Sequence, residues 1–376
     1  MAKRVPFHTF IWKTQSRCNL NCSYCFVYNR GDDNWRNQPA TMSNETVEAS
    51  AKAMKKHLVD NGKTQASLIF HGGEPLLGGV KHLQRVTSII LQVFDGSGIQ
   101  LNMGMQSNGL LFDEKIGDFM LSNEITIGIS IDGPPEINDK FRVDHQGRGS
   151  SKKLEDRLRL LTSQRYKSLF KGFLVVVDVT SDPIETLDYL VSLDAPSVDF
   201  LLPYDNHDRL PPGKVSWQES QYADWLIEAY DYWLNNNLPL RIRHFDSILR
   251  MIFGGSSLVE SIGLSPVDLI VIETNGDIEA VDSLKAVFNG ATKLGYNVFE
   301  NSFDEVSDDV SVQSRQLGVN ELCEKCQACE VVSICGGGYL PTRYSNENGF
   351  LNPSVYCFDH SKTIKHIHKS AIQAIK

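Results

Sequence analysis

The chain has 376 residues, 41% of them apolar and 22% charged, with a formal net charge of −9. That is long enough for one large domain or two and ordinary for a soluble globular protein. No apolar run approaches the roughly 20 residues a bilayer requires, so no membrane role is expected, and the acidic balance argues against nucleic acid as the main partner.

Met1 to Phe10 lacks a signal-peptide core, which predicts a cytoplasmic protein. In that compartment eight clustered Cys point to metal or redox chemistry rather than disulfides. Through residue 205 the sequence alternates strand-like and helix-like segments. Thr9 to Gln15 predicts a first strand, leading into Cys18, Cys22 and Cys25. Ser43 is a good cap for a helix to about Val59. Ser67 to Phe70 predicts a strand ending in Gly72-Gly73-Glu74-Pro75, followed by a helix from about Val80 to Phe94. Leu101 to Gln106 predicts the next strand, ending at Ser107-Asn108-Gly109. A helix, then a strand over Ile125 to Ile131, repeats the scheme. Leu154 to Arg165 reads as helix, Phe173 to Asp178 as strand, Ile184 to Leu193 as helix and Val198 to Leu202 as strand.

About six β–α units imply an α/β fold with a parallel sheet and helices outside, and six units suit a partial (β/α)6 TIM-like barrel. The unusual residues sit just after each strand, the edge where parallel sheets place their chemistry. Leu210-Pro211-Pro212-Gly213 breaks the pattern. Two aromatic-rich helices are expected at about Gln218 to Asn235 and Phe245 to Phe253, then a hairpin over Leu269 to Asp282 turning at Asn275-Gly276. The rest carries the other five Cys and is poor in long periodic segments. The expected organisation is a barrel over 1–205, a helical bridge over 206–265 and a small cysteine-rich domain over 266–376.

Thiolates bind both iron and zinc. A zinc reading of the first triplet needs a fourth ligand, such as His71 folding back. A cluster held by three thiols leaves one iron open to a bound molecule.

The run Cys18-x3-Cys22-x-Tyr24-Cys25 after a first strand resembles the signature of the radical S-adenosylmethionine (SAM) enzymes. The resemblance implies that Cys18, Cys22 and Cys25 hold a [4Fe–4S] cluster. Its open iron would chelate SAM, and one electron would cleave SAM to a 5′-deoxyadenosyl radical. It also implies cofactor contacts at Tyr24, at Gly72, Gly73 and Glu74, at Ser107, and at Ser130 and Arg142 near the SAM carboxylate. Bare glycines would let the backbone come close to the methionyl group. An Arg fork matches a carboxylate. The plain alternatives are an ordinary turn at Asn108-Gly109 and a surface pair of Arg142 with Asp139.

Cys326-x2-Cys329-x5-Cys335, then Cys357, resembles the second auxiliary-cluster ligand set of SPASM domains, which normally carry two extra clusters. Here the hairpin reads Glu279-Ala280-Val281-Asp282 where a Cys is expected, and Gly336 to Tyr339 replaces another. One auxiliary [4Fe–4S] cluster is therefore expected, with zinc as the alternative occupant and Cys323 left over. The tail from Cys335 to Cys357 resembles the maturases that form three-residue cyclophanes in ribosomally made peptides.

That subgroup would join an aromatic ring to the β-carbon of a nearby residue in a precursor peptide. The auxiliary cluster would take an electron and a carboxylate a proton. Asp282 is the candidate base, an ordinary surface Asp being the alternative. The implied partners are a precursor peptide with its leader, docked on an exposed strand edge, and an external flavodoxin- or ferredoxin-like reductant. With 17 residues before Cys18, no separate N-terminal leader-binding domain is expected. Formylglycine, thioether and epimerisation chemistry are the alternatives on the same scaffold. The missing Cys count against formylglycine, and an epimerase would need Cys323 as a thiol donor. A non-enzymatic metal-binding or electron-transfer protein would explain the Cys but not the strand-end motifs.

Overall fold

In the computed structural model, which describes residues 5–375, nearly every predicted strand and helix forms. In chain order the elements are β1 (Thr9–Gln15), α1 (Asn44–Asp60), β2 (Gln65–Gly72), α2 (Gly79–Phe94), β3 (Gln100–Ser107), α3 (Glu114–Ser122), β4 (Thr126–Ser130), α4 (Pro135–Phe141), α5 (Ser151–Leu161), β5 (Phe170–Val176), α6 (Pro183–Ser192), β6 (Ser197–Leu201), α7 (Gln221–Asn235), β7 (Arg241–Ile242), α8 (Arg243–Ile252), β8 (Leu269–Ile272), β9 (Asp277–Glu279), β10 (Lys293–Asn297), α9 (Phe303–Ser307), α10 (Val310–Ser314), α11 (Glu324–Gln327), α12 (Val332–Cys335) and α13 (Cys357–Ile375). Side-chain caps start several helices. Ser43 accepts from Thr46 N at α1, Asp113 from Ile116 N at α3, and Asp182 from Ile184 N and Glu185 N at α6.

Packing divides the chain into two units. The first comprises the residues up to Ser130, Asp139–Lys171 and Asp268–Gln316. Here β1, β2, β3 and β4 are successive parallel neighbours, and β8 pairs parallel on the other side of β1. The hairpin β8–β9 and its antiparallel neighbour β10 complete the unit's sheet. Side chains alternate across these strands. Phe10, Trp12, Leu68, Phe70, Met103, Met105, Ile127 and Ile129 are buried and form the core of this unit. The opposite face carries Lys13, His71, Gln106 and Ser130 toward the strand C-termini, where chemistry is expected. Lys13 and His71 are register partners, and so are Gln106 and Gly128.

The second unit comprises Ile131–Asn138, Gly172–Val267 and the residues from Leu317 on. Parallel β5, β6 and β7 form its sheet. Helices α6, α7, α8 and α13 pack on one another. The aromatic stripe of α7 is mostly core. Trp225 sits edge-on to Phe200 with ring centroids 5.0 Å apart, and Tyr230 meets Phe245 at 5.3 Å.

Two features differ from the sequence expectation. Packing changes unit at Val267/Asp268, two residues from the expected 265/266, but β8 adds to β1 and carries residues 268–316 into the first unit, apart from the residues from Leu317 on. The cysteine-rich tail also ends in a 19-residue helix, α13. Its starting residue is Cys357, and its buried side includes Ile364, Ile367 and Ala371.

The start of α13 is fixed by an ion pair with no exposure on either side chain, Lys214 with Asp359. Lys214 also donates to the Glu219 and Val355 carbonyls, and Asp359 accepts from Ala223 N. Breaking such a pair strands a buried charge. Lys214→Met should cost about 3–5 kcal/mol in a urea melt, and adding Asp359→Leu should recover part of it.

Candidate active site

The loop Cys18 to Cys25 leaves β1 at its C-terminal end and is clamped on both sides. On one side, Gly73 N donates to the Gln15 carbonyl and Glu74 N to the Arg17 carbonyl, both at 2.9 Å. On the other, Asn21 N donates to the Val143 carbonyl (2.8 Å) and Ser23 N to the Phe141 carbonyl (3.1 Å). His145 Nε2 lies 3.0 Å from the Cys18 carbonyl. The register slips at Thr14, a bulge that bends the strand as it enters the loop.

The two glycines of Gly72-Gly73-Glu74-Pro75 have a reason visible here. A Cβ on Gly72, whose φ is +141°, would lie 2.0 Å from the Gln15 carbonyl oxygen. One on Gly73 would lie 1.8 Å from the Tyr28 hydroxyl and 2.4 Å from the Arg17 oxygen. Bare backbone is thus demanded by the thiol loop itself.

Glu74 is buried, and its carboxylate is committed to protein donors. It accepts from Leu76 N (3.0 Å), Ser107 Oγ (2.7 Å) and Asn108 N (2.8 Å). Burial pushes its pKa above the usual carboxylate range, against these three donors. Ser107, read from sequence as a cofactor contact, therefore spends its hydroxyl proton on Glu74. Asn108 instead reaches the thiol loop. Its amide donates to Asn19 Oδ1 at 2.8 Å and lies 3.8 Å from Cys18 Sγ.

Tyr24 and Arg142 come together, with Arg142 Nη1 donating to the Tyr24 hydroxyl at 2.8 Å. Ser130 Oγ accepts from Gln106 Nε2 at 2.9 Å. Burial pushes the Cys18 thiol up to about 12 and the Cys25 thiol to about 11, with Glu74 adding at Cys18 and Cys22 at both. Such thiols need a bound cation to ionise.

Asp282 is not on the surface. It begins a 3₁₀ turn after the hairpin and is 8% exposed. Its Oδ1 lies 2.6 Å from Lys13 Nζ, and its Oδ2 lies 3.9 Å from His71 Nδ1. Lys13 also contacts Glu273 (2.8 Å), while Lys285 contacts Glu273 (2.5 Å) and Glu279 (3.1 Å). Thr292 donates to Glu279 at 2.8 Å. Two ammonium groups and three carboxylates thus fill the hairpin where thiols were missing. Lys13 and Lys285 hold Glu273 as a carboxylate, against burial, at a pKa of about 2. Burial, by contrast, raises Glu279.

Lys13, Glu273 and Lys285 were not predicted as functional residues, and His71 was considered only as a fourth zinc ligand. The available signal was a lysine inside the apolar strand Phe10-Ile11-Trp12-Lys13, with Glu273 and Glu279 straddling the hairpin turn.

In the second unit, Cys326, Cys329, Cys335 and Cys357 line one cavity of about 360 Å³, together with Lys325, Gly337 and Ser354. Burial pushes Cys326 and Cys335 to about 12, with neighbouring thiols adding, and raises Cys357. The free thiol of Cys323 hydrogen-bonds with that of Cys326. A tetrahedral zinc with bonds of about 2.3 Å would hold its sulfurs roughly 3.8 Å apart. Among the described residues, only Glu273, Glu279 and Asp282 offer three ligand atoms within 4.8 Å of one another, and the lysines occupy that group. Both thiol sets supply soft sulfur donors of the kind that iron–sulfur clusters and zinc take.

The comparisons with known proteins agree with this donor set. Residues 12–190 match the Radical SAM superfamily. The cysteine-type anaerobic sulfatase-maturating enzyme of Clostridium perfringens (strain 13 / Type A) is 26% identical over 358 residues, covering 94% of each chain. The solved structure of native anSMEcpe with bound AdoMet superposes with a TM-score of 0.82 at 24% identity, over 97% of this chain and 98% of its own. The same protein with AdoMet and the Kp18Cys peptide gives 0.81 at 22% identity, over 97% and 98%.

The expected partial barrel with a cysteine-rich C-terminal region is thus the fold of this chain. Fold and relatives together indicate an enzyme, with a radical SAM match over residues 12–190 and similarity to protein-maturating enzymes along nearly the whole chain. Bound AdoMet is a feature of the solved anSMEcpe structure; in this chain the thiol sets have the chemistry to hold iron–sulfur clusters. No helix among the described residues is long and apolar enough to cross a membrane.

Two outcomes follow. Cys18→Ala should lower the iron of the anaerobically reconstituted protein from about eight to about four per chain by chemical assay, one four-iron cluster being lost. The second concerns acid stability. Glu273 has a depressed folded pKa, so its contribution is present above about pH 4.3, the unfolded value, and is lost as pH falls toward 2. Glu273→Gln should flatten that part of the acid unfolding curve.

Proposed function

We propose that this enzyme oxidises a cysteine side chain in a peptide or protein substrate to formylglycine. The reading is supported by the similarity to a cysteine-type sulfatase-maturating enzyme along nearly the whole of both chains. The observation in this chain that carries it is Asp282, a buried carboxylate held by Lys13 with its second oxygen unbonded.

Cys18, Cys22 and Cys25 would hold the first cluster, and Cys326, Cys329, Cys335 and Cys357 the auxiliary one. Tyr24, Ser130 and Arg142 would bind SAM, while Gly72, Gly73, Glu74 and Ser107 would shape the loop around it. When bound, this set supplies hydrogen-atom abstraction from the substrate Cβ and a one-electron oxidation.

The protein's own part is positional and acid–base. Glu74 and Asn108 hold the thiol loop against β2 and β3. Once the substrate has lost a hydrogen atom and an electron, its thiol proton must leave, and Asp282 receives it. Water then replaces the sulfur, giving the aldehyde and sulfide.

A second reading is favoured by a specific observation. The hairpin is filled by lysines and carboxylates, and the C-terminal thiols account for one auxiliary set. That matches crosslinking of an aromatic ring to a β-carbon, which also removes two hydrogens and also needs a base. One assay separates the two. The reconstituted enzyme is given a cysteine-bearing peptide from a sulfatase active site and, separately, a precursor peptide encoded beside the gene. Formylglycine formation loses sulfur and yields an aldehyde that a hydrazide traps. Crosslinking loses two hydrogens, retains every sulfur and traps nothing. In either case Asp282→Asn should cut product formation by about 100-fold or more while SAM is still cleaved, as read by chromatography of 5′-deoxyadenosine.

A further inference from the structure

Asp282 faces a difficulty that its surroundings define. It is almost sealed, so a proton taken from substrate has no direct way to water. Lys13 and Lys285 face it as ammonium groups, which carry protons but no lone pair. Glu273 and Glu279 are themselves tied to those lysines.

The remaining neighbour is His71, the last residue of β2 before the two glycines. The register of β1 and β2 sets it beside Lys13, on the face that carries the polar row. Its Nδ1 is buried, has no hydrogen-bond partner and points to Asp282 Oδ2 at 3.9 Å. Its side chain as a whole is about a quarter exposed, at 26%. The ring therefore has one nitrogen turned to the carboxylate and an edge that water reaches.

We propose that His71 relays the proton from Asp282 to solvent. The proposal rests on Asp282 acting as the base. The step is proton transfer alone. Asp282 Oδ2 gives its proton to the Nδ1 lone pair, and Nε2 releases its own proton to water, restoring the carboxylate and the neutral ring as its other tautomer. The gap of 3.9 Å is longer than a hydrogen bond, as catalytic contacts often are before substrate is bound. The ring is suited to receive a proton. Burial, and Lys13 after it, lower its pKa, against the pull of Asp282, of a hydrogen bond to the Gly72 backbone and of Glu273, and this lowering favours the neutral ring.

The test uses anaerobically reconstituted holoenzyme and the cysteine-bearing sulfatase peptide. Wild type, His71→Ala, His71→Gln and Asp282→Asn are compared with and without free imidazole. His71→Ala should form product about 100-fold more slowly. Imidazole should restore much of that rate, and should restore none in Asp282→Asn. The wild-type rate should fall on the acid side as Nδ1 becomes occupied, and His71→Gln should lack that limb. It also guards against a folding defect in the Ala variant. A wild-type rate in both His71 variants, or a loss that imidazole does not touch while Asp282→Asn is inactive, would overturn the relay and leave Asp282 as base. A wild-type rate in Asp282→Asn would overturn both.

Discussion

The architecture of the first unit depends on one buried carboxylate. Glu74 sits where β2 ends, and its three accepted hydrogen bonds tie that end to the end of β3. The turn it fixes sends Asn108 back to the thiol loop, while the Glu74 backbone donates to Arg17 at the loop's root. A buried carboxylate is tolerated only when its oxygens are satisfied, so these strand ends are set together or not at all. The thiol loop thus takes its shape from neighbours on two other strands. This is how a flexible eight-residue segment can present sulfurs in a fixed array.

The hairpin shows the same principle with a different filling. A run of thiols would hold its interior through a metal cluster. Here Lys13 and Lys285 do so by pairing with three acids. The electrostatic cross-link replaces a covalent one and leaves one carboxylate oxygen uncommitted. A structural role and an acid–base role can therefore reside in the same group, because the lysines fix Asp282 from one side only.

Much of this was legible in the sequence. β1 has the predicted bounds, and the other strands lie within a few residues of theirs, because their β-branched and apolar runs are bounded by clear turn residues. The thiol loop, the Gly-Gly-Glu turn and the four C-terminal Cys were found by spacing. What was not legible depends on distant partners. The glycines read as room for a cofactor, and the Gln15 and Arg17 backbones that also require them could not be seen from sequence. Residues 268–316 read as part of the cysteine-rich domain, because pairing of β8 with β1 leaves no mark on either strand alone. Helix α13 was missed since its apolar positions are diluted by three Lys and three His. Asp282 was found by its place after the hairpin; the lysine that holds it came from a strand 269 positions earlier.

The filled hairpin also constrains how this chain can change. Exchanging any one of Glu273, Glu279 or Asp282 for a cysteine weakens the countercharge of a sealed ammonium ion before any metal could compensate, at a cost of about 3–5 kcal/mol where a pair is broken. A thiol placed at the hairpin therefore carries that cost unless the lysine facing the lost carboxylate is replaced with it.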